Sequence, residues 1–250
     1  MLTMCFAPRT AGRPSVIASG GAVLSTLISR IRSHDSAGRA RYAFRVHLYA
    51  HRVEPFDNGM YVVADDRGDA ILIDPSQGER EAMSTIRAHG LRILEILNTH
   101  GHQDHVFDNA RMQEQTRARI AIHAADAYRL DPATRPASQL QPPTSVADDL
   151  IADGPLPYLR DIELVAVHTP GHTEGSTCFY LPKDGIVFSG DLLFAGNVGR
   201  IDLPGGDAGQ MELSLARIAT LPPATRVFPG HGPATTIGDE LHWLRGFRFE

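Results

Sequence analysis

The chain has 250 residues, 42% of them hydrophobic and 21% charged, with a formal net charge of −5. This composition is typical of one large soluble domain, and the negative charge argues against a broad nucleic-acid-binding surface. No apolar run approaches the roughly 18 residues that span a bilayer, and two cysteines are too few for a disulfide framework, so we predict a cytoplasmic protein without nucleic-acid or membrane partners.

The first 42 residues differ in composition from the rest of the chain. Arginines stand there among Ser, Gly and Ala, and Asp35 is the only acid. This composition is typical of a transit peptide or of a poorly ordered extension. We predict a poorly ordered N-terminal extension over residues 1–42, with an over-long translation start or a targeting peptide as open alternatives, and one folded domain over residues 43–250.

Strand and helix signals alternate along the folded domain. Ser76 and Glu79 form a capping-box pattern that would begin a helix ending at Gly90. Residues 130–157 are rich in Pro, Ala and Ser and lack periodicity, which favours a loop or a loosely helical lid. The predicted strands cover residues 44–51, 60–64, 70–73, 91–97, 120–123, 162–167, 176–181, 185–189 and 226–228. The other predicted helices cover residues 105–116, 207–219 and 237–245.

Both halves of the domain run strands into helices, without a repeat or an internal linker. A sandwich of two sheets with helices outside fits this order better than one parallel sheet. The predicted fold class is therefore α/β, as a four-layer αββα sandwich.

Residues 99–105, Thr-His-Gly-His-Gln-Asp-His, place three imidazoles and one carboxylate within six positions. All four are metal-ligand types. His100 and His102 are two apart and share a face only in extended chain, so they belong on the loop after the preceding strand. Asp104 and His105 would then begin the next helix.

Three more ligand-type side chains follow apolar strands, each beside a glycine that allows a tight turn. They are His172, Asp191 and His231. Since all four loops leave strand ends, we predict that they converge on one rim of the sheets. Asp74, which ends another strand, either orients a metal-binding histidine or is a polar group at a helix entry.

These motifs resemble the metallo-β-lactamase superfamily and, within it, the short bacterial branch of the glyoxalase II-like (hydroxyacylglutathione hydrolase-like) enzymes. The resemblance covers about residues 43–240 and includes the loop 193–206. It implies the fold of that family, with two mixed sheets packed face to face, and a binuclear metal site. One ion would be bound by His100, His102 and His172, the other by Asp104, His105 and His231, with Asp191 bridging both.

The resemblance also implies a metallohydrolase that uses a metal-bridging hydroxide to cleave a small-molecule thioester, such as S-lactoylglutathione. Asp104 and Asp191 would be catalytic, and the ions would be zinc, with iron or manganese as alternatives. Arg200 is assigned to substrate binding, although it could instead hold its glycine-rich loop in place. The chain ends nineteen residues after His231, so we expect no C-terminal helical domain, and the thiol carrier stays open.

Three alternatives remain at this point. A mononuclear-iron persulfide dioxygenase would use His100, His172 and Asp191, and the Gly-Arg pair at 199–200 fits that group, whereas residues 203–206 favour the hydrolase. A hydrolase of lactones or phosphodiesters shares the same ligands, and a non-catalytic metal-binding module is the third option. The acyl group and the oligomeric state do not follow from the sequence.

Overall fold

The structure is a computed structural model that describes residues 46–249 in full. Before residue 46 it describes only the backbone of residues 24–28, 33–34 and 40–41. Most of the predicted extension, residues 1–42, lies outside the described residues. Its poor order therefore stays a prediction, as does its boundary with the folded domain.

One sheet contains seven strands in the spatial order β1-β4-β5-β6-β7-β8-β9. Pairs from β1 to β6 are antiparallel, and pairs from β6 to β9 are parallel, so the sheet is mixed. The strands are β1 (Leu24–Ile28), β4 (Val46–Val53), β5 (Asn58–Ala64), β6 (Asp69–Ile73), β7 (Arg92–Leu97), β8 (Arg119–His123) and β9 (Asp149–Ile151), while β2 (Ser33–His34) and β3 (Ala40–Arg41) pair separately.

The second sheet contains six strands in the order β10-β11-β12-β13-β16-β17. Only the pair β13 and β16 is parallel in this sheet. The strands are β10 (Gly154–Leu156), β11 (Leu164–His168), β12 (Thr177–Leu181), β13 (Ile186–Gly190), β16 (Arg226–Pro229) and β17 (Thr235–Thr236), while β14 (Leu193–Phe194) and β15 (Asn197–Val198) form a short separate ladder.

Five α-helices and one 3₁₀ helix complete the described part of the chain. None of the helices described is long and apolar enough to cross a lipid bilayer. The helices are α1 (Glu79–His89), α2 (Gln103–Val106), α3 (Asn109–Thr116), the 3₁₀ helix (Ala124–Leu130), α4 (Ala208–Ile218) and α5 (Ile237–Leu244).

Three apolar clusters show how the layers are stacked. The central cluster joins residues of both sheets, for example Ile73 with Phe179 and Phe188. A second cluster lies between the first sheet and α1 and α3, and a third between the second sheet and α4 and α5. Burial of one face of each helix and both faces of each sheet gives the predicted αββα sandwich, which is confirmed.

Two local predictions are wrong, and a third holds only in part. Ser76 does not cap α1, because its backbone is left-handed (φ 53°) and its hydroxyl bonds to Asp74 O; Asp108 Oδ2 instead accepts the backbone N–H of Glu79 at 3.0 Å. The helix predicted over 105–116 is two helices, α2 and α3. Residues 131–148 form a loop, as predicted for 130–157, but the end of this range contains β9 and β10, which are three residues long and extend one sheet each.

The candidate ligands follow the carboxyl ends of strands that run in the same direction. In the first sheet, β6 and β7 are parallel and end before Asp74 and His100. In the second sheet, β13 and β16 are parallel and end before Asp191 and His231. A hydrogen bond from Gly59 N to Gly230 O, 2.7 Å, joins the two sheets at this rim. The predicted convergence of the strand-end loops is therefore present.

Candidate metal centre

The local geometry of residues 99–105 follows from the end of β7. His102 has extended backbone (φ −68°, ψ 144°) and precedes α2, so His100 and His102 stay on the loop. Asp104 and His105 lie in the single turn of α2, as the spacing predicted. The side chains of His100 and His105 are buried, and those of His102 and Asp104 are partly exposed.

Three imidazoles meet in what we call the first metal position. His100 Nε2 lies 3.1 Å from His102 Nδ1, which lies 2.8 Å from His172 Nε2. Ligand atoms at 2.0–2.1 Å around a tetrahedral ion are separated by about 3.3 Å. The spacing of these nitrogens therefore fits one ion between them.

Asp104, His105 and His231 form the second metal position. His105 Nε2 lies 3.2 Å from His231 Nε2, and Asp104 Oδ2 lies 3.3 Å from His231 Nε2 and 3.5 Å from His105 Nε2. The ligand atoms of each position all lie within 4.8 Å of one another. A second ion fits here by the same geometric criterion.

The carboxylate of Asp191 lies between the two positions. Its Oδ2 is 3.4 Å from His172 Nε2 of the first position and 3.4 Å from His231 Nε2 of the second, and its Oδ1 is 3.4 Å from His105 Nε2. Oδ1 is buried and has no hydrogen-bond partner among the residues that the structure describes. Since an unpaired buried carboxylate oxygen is costly, this atom fits a role as a metal ligand.

Four of the five imidazoles in the site form a hydrogen bond through Nδ1, and this bond directs their Nε2 atoms into the site. His102 differs, because it faces the first position through Nδ1. The four bonds join His100 Nδ1 to Thr99 Oγ1 (3.1 Å), His105 Nδ1 to Asp74 Oδ2 (3.0 Å), His172 Nδ1 to Arg200 O (2.7 Å) and His231 Nδ1 to Phe56 O (2.8 Å).

Asp74 orients His105 and does not act as a helix-entry group. Its Oδ1 accepts the backbone N–H of Thr99 at 2.8 Å, and its Oδ2 accepts the Thr99 hydroxyl at 2.6 Å as well as the imidazole of His105. These bonds occupy both oxygens, although Asp74 lies close enough to His100 and His105 to be counted among possible ligands. Of the two interpretations that the sequence left open, the structure favours the orienting one.

Two imidazoles of the first position, those of His100 and His102, are electrically neutral near pH 7. Burial and the neighbouring His172 lower the pKa of His102 to about 3. Burial and the surrounding histidines also hold the pKa of His100 well below its ordinary value. A neutral imidazole binds a cation without first losing a proton.

The second position has the opposite electrostatics. Burial alone would lower the pKa of His231, but hydrogen bonds with Asp104 and Asp191 raise it to about 11. Burial would also lower the pKa of His105, but the charges of Asp104 and Asp191 raise it to about 9. Burial would raise the pKa of Asp191, but the neighbouring histidines, His105 foremost, together lower it to about 2. The pKa of Asp104 is also lowered despite burial, chiefly by the charge of His105. Both carboxylates are therefore ionised and able to bind a cation.

A glycine next to His231 is required by the close approach of the loops. A Cβ atom at Gly230 would lie 2.1 Å from Asp191 Oδ1 and 2.8 Å from the His105 ring. Only glycine leaves room for the bridging carboxylate at this place, which explains the Gly-His sequence in physical terms.

Asn58 belongs to the site, although its Asp-Asn-Gly sequence is typical of a turn. It is the first residue of β5 and is 2% exposed. Its Nδ2 donates to Asp104 Oδ2 at 3.0 Å and lies 3.4 Å from His105 Nε2. The Asp-Asn-Gly sequence gives a local turn signal only, and nothing local indicates a contact with residues 46 positions away.

A cleft of about 520 Å³ opens over the metal centre. Arg200 lines it, but its guanidinium forms two 2.6 Å bonds with the carboxylate of Asp202 and its side chain is 61% exposed. The other lining residues are Phe56, His102, Gln103, Asp104, Arg129, residues 136–140, His172, Asp191, Leu203, Pro204 and His231.

The αββα fold and a rim bearing seven His and Asp side chains define a metal-binding enzyme class. The chain belongs to the metallo-beta-lactamase superfamily, whose family model matches residues 55–231, and this confirms the resemblance. The matched range includes every predicted ligand. The superfamily assignment makes the protein a metallohydrolase-type enzyme.

Several relatives of known sequence or structure are similar to the chain. A probable metallo-hydrolase, YqgX of Bacillus subtilis, is 33% identical over 76% of this chain and 93% of its own length. A hydroxyacylglutathione hydrolase of Rhodospirillum rubrum is 36% identical over 70% of this chain and 62% of its own length.

Two solved structures are similar in both fold and sequence. The BLEG-1 B3 metallo-beta-lactamase superposes with a TM-score of 0.72 and 34% identity, covering 78% of this chain and 96% of that one. TTHA1623, solved in a di-iron-bound form, gives a TM-score of 0.67 and 36% identity, covering 76% of this chain and 96% of that one.

Proposed function

We propose that the protein is a thioester hydrolase that holds two divalent metal ions on its seven candidate ligands. The observation that carries this proposal is the carboxylate of Asp191, whose Oδ2 lies 3.4 Å from one imidazole of each metal position. A carboxylate shared between two ligand sets is the arrangement expected of a bridged pair of ions. The relative named hydroxyacylglutathione hydrolase supports the choice of a thioester.

Zinc is the ion we propose for both positions, with iron or manganese as alternatives. Imidazole and carboxylate ligands suit all three metals. The di-iron form of TTHA1623 supports keeping iron among the alternatives.

Bound divalent ions would supply Lewis acidity, lowering the pKa of a water molecule towards 7 and polarising the acyl carbonyl. The chain's own catalytic groups would be Asp104 and Asp191. Both carboxylates border the cleft, and their ionised oxygens accept hydrogen bonds, so they would orient the attacking water. Asn58 would keep Asp104 in place through its 3.0 Å bond to Oδ2.

The cleft gives the proposed substrate its position. Phe56, Leu203 and Pro204 provide apolar wall for an acyl or thiol chain, and Arg200 provides a cation for an anionic group. Arg200 would exchange Asp202 for the substrate carboxylate, which is reasonable for an exposed ion pair because such pairs are weak. An S-acylglutathione such as S-lactoylglutathione is the proposed substrate.

We propose a cytoplasmic enzyme whose partner is this small molecule, with no nucleic-acid or membrane partner. The buried thiol of Cys178 forms no disulfide with the described residues, which is compatible with a reducing compartment.

The test is a steady-state assay of zinc-loaded and iron-loaded protein, together with metal analysis. We expect two ions per chain and turnover of S-lactoylglutathione that is lost in His102→Ala, the control for contaminating hydrolases. Turnover of a lactone or a phosphodiester instead of any thioester would overturn the substrate class. One iron per chain, with oxygen consumption on glutathione persulfide, would replace the hydrolase by a dioxygenase.

A further inference from the structure

Asp126 is a completely buried carboxylate that the sequence did not single out. It lies in the 3₁₀ helix that follows β8, and it is 0% exposed. Its Oδ2 accepts the backbone N–H of Gly101 at 2.7 Å and the Thr173 hydroxyl at 2.8 Å. Its Oδ1 accepts the backbone N–H of Gly175 at 2.8 Å and Arg129 Nε at 3.3 Å.

These donors belong to the two loops that build the first metal position. Gly101 stands between His100 and His102, and Thr173 directly follows His172. The loop with Gly101 follows β7 of one sheet, and the loop with Thr173 follows β11 of the other. The carboxylate of Asp126 therefore connects the loops of candidate ligands from both sheets. The approach is close, since a Cβ atom at Gly175 would lie 2.6 Å from Asp126 Cβ.

Arg129 compensates the buried charge of Asp126 and continues the connection. Its side chain is 1% exposed, and its Nη2 donates to Glu174 Oε2 at 2.5 Å and to Pro204 O at 2.8 Å. The pair therefore links the first metal position to the wall of the cleft. A buried ion pair with this many additional hydrogen bonds holds its neighbours in one arrangement.

We propose that Asp126 is a positioning residue for the first metal position, acting through the Gly101 and Thr173 loops. This inference rests on the proposed pair of ions but not on the thioester substrate. The described contacts of Asp126 include no ligand of the second position, where Asp74 orients His105. Loss of Asp126 should therefore weaken binding of one ion and spare the other.

The test compares metal binding by wild-type protein and Asp126→Asn, which keeps the side-chain shape but directs an amide N–H towards donors. We expect the affinity of the first position to fall about 10–100-fold, the usual effect of losing a partner behind a ligand, with the second position unchanged. Stepwise cobalt titration followed by absorption, and metal content after dialysis against a chelator, measure this without any substrate.

Asp126→Asn is also introduced into two proteins that each lack a ligand of one metal position, which shows at which position the affinity is lost. His231→Ala removes a ligand of the second position, and His102→Ala removes one of the first. Asp126→Asn should lower the affinity of the ion that remains in the His231→Ala protein and leave that in the His102→Ala protein unchanged. Equal losses in both backgrounds would show a general structural brace and overturn the inference.

Asp65→Asn is the matched control for removing a buried carboxylate. Asp65 is 3% exposed and accepts the backbone N–H groups of Arg67 (2.8 Å) and Asp69 (3.1 Å) in the turn between β5 and β6, at the opposite end of the sheet. Asp65→Asn should keep both metal affinities even where it lowers the melting temperature. Metal loss in this control equal to that in Asp126→Asn would count against a specific role.

Thr173→Val decides the question if Asp126→Asn does not fold. It removes one donor to Asp126 and leaves the carboxylate in place, so we expect a several-fold loss confined to the first position. Unchanged metal affinity in Thr173→Val, or in a folded Asp126→Asn, would overturn the inference. Wild-type protein that binds no metal would overturn both the metal centre and this inference, whereas a metal-binding protein inert towards thioesters would overturn the proposed function alone.

Discussion

The two metal positions share one rim and one carboxylate, yet they are built differently. The first consists of three imidazoles, two of which have a lowered pKa and are neutral near pH 7. The second contains a carboxylate and two imidazoles whose pKa is raised by Asp104 and Asp191. In the second position, therefore, a bound cation would replace protons as the charge that balances the carboxylates.

The positions also differ in what holds them. Asp74 directly follows the end of β6 and contacts the second position through one imidazole, that of His105. Asp126 forms no hydrogen bond with an imidazole of the described residues, and it joins two loops of different sheets. Separate buried carboxylates thus contact the loops of the two positions, so we expect substitutions of these carboxylates to distinguish the positions.

The largest effect is expected from Asp191→Ala, which should weaken metal binding at both positions and not at one alone. The substitution removes the Asp191 carboxylate, which lies 3.4 Å from an imidazole of each position. We expect loss of both ions on dialysis and a fall in kcat of about 10³-fold or more, as for loss of a catalytic metal. Metal analysis and circular dichroism check the result; retention of two tightly bound ions would contradict the bridging role.

Asp74→Asn should weaken the second position selectively. Asparagine tolerates the left-handed backbone of this residue (φ 46°), so the substitution tests the hydrogen bond to His105 and not the turn. We expect a 10–100-fold loss of affinity at the second position and a smaller loss at the first, transmitted by Thr99. Cobalt titration in the His102→Ala and His231→Ala backgrounds measures the affinity of each position separately. A larger loss of affinity at the first position than at the second would contradict the assignment of Asp74 to His105.

Arg200→Ala leaves both positions intact and tests the cleft beside them. We expect the KM for an anionic thioester to rise about 3–10-fold with a smaller change in kcat, because the guanidinium would contact substrate and not the reacting atoms. Asp202→Asn is the paired control, since it frees Arg200 from its two 2.6 Å bonds and should lower KM. A collapse of kcat at unchanged KM would assign Arg200 a different role.

Glu95→Gln should alter neither position and should change only the pH dependence of stability. Glu95 is 3% exposed, and its Oε1 has no hydrogen-bond partner within the described part of the chain. Burial and the charge of Asp149 raise its pKa to about 8, and Arg119 only partly offsets this.

The folded protein therefore keeps a proton that the unfolded chain loses above about pH 4.3, so stability falls as pH rises from there to about 8. Glu95→Gln removes this loss. A pKa raised from about 4.3 to about 8 corresponds to about 5 kcal/mol, so we expect the substitution to raise the unfolding free energy by about 5 kcal/mol at pH 9 and by little near pH 4. Urea unfolding of metal-free protein measures this, with the exposed Glu163→Gln as control. An equal effect at both pH values would contradict the assignment of the raised pKa to Glu95.

Residues whose role depends on nearby sequence were predictable. The Thr-His-Gly-His-Gln-Asp-His segment follows an apolar strand, and its spacing determines that His100 and His102 stay on a loop while Asp104 and His105 enter a helix. Asp207 caps α4 by accepting the N–H of Gln210, and Gly90 ends α1 in a left-handed conformation, both as the sequence indicates. Such features depend on backbone geometry within a few residues.

Features that depend on distant partners were missed. β9 and β10 are too short to show periodicity, and they exist because β8 and β11 offer them an edge. Asn58 stands in an Asp-Asn-Gly sequence typical of a turn, and Asp126 stands in a segment to which the sequence assigned no element. The contacts that reveal their roles are with residues far away in the chain. Asp108, the residue before α3, accepts the N–H of Glu79 at the start of α1, which is the role that the capping-box pattern assigned to Ser76.

The amino-acid sequence was enough to predict the candidate ligand types, their placement at strand ends and the family to which the chain belongs. It did not predict which nitrogen of each imidazole faces the site, how Asp191 lies between the two positions, or which buried carboxylates contact their loops. The reason is physical. Local patterns specify backbone direction, but burial of apolar faces brings the two sheets together, and only their packed arrangement sets distances between residues far apart in the chain.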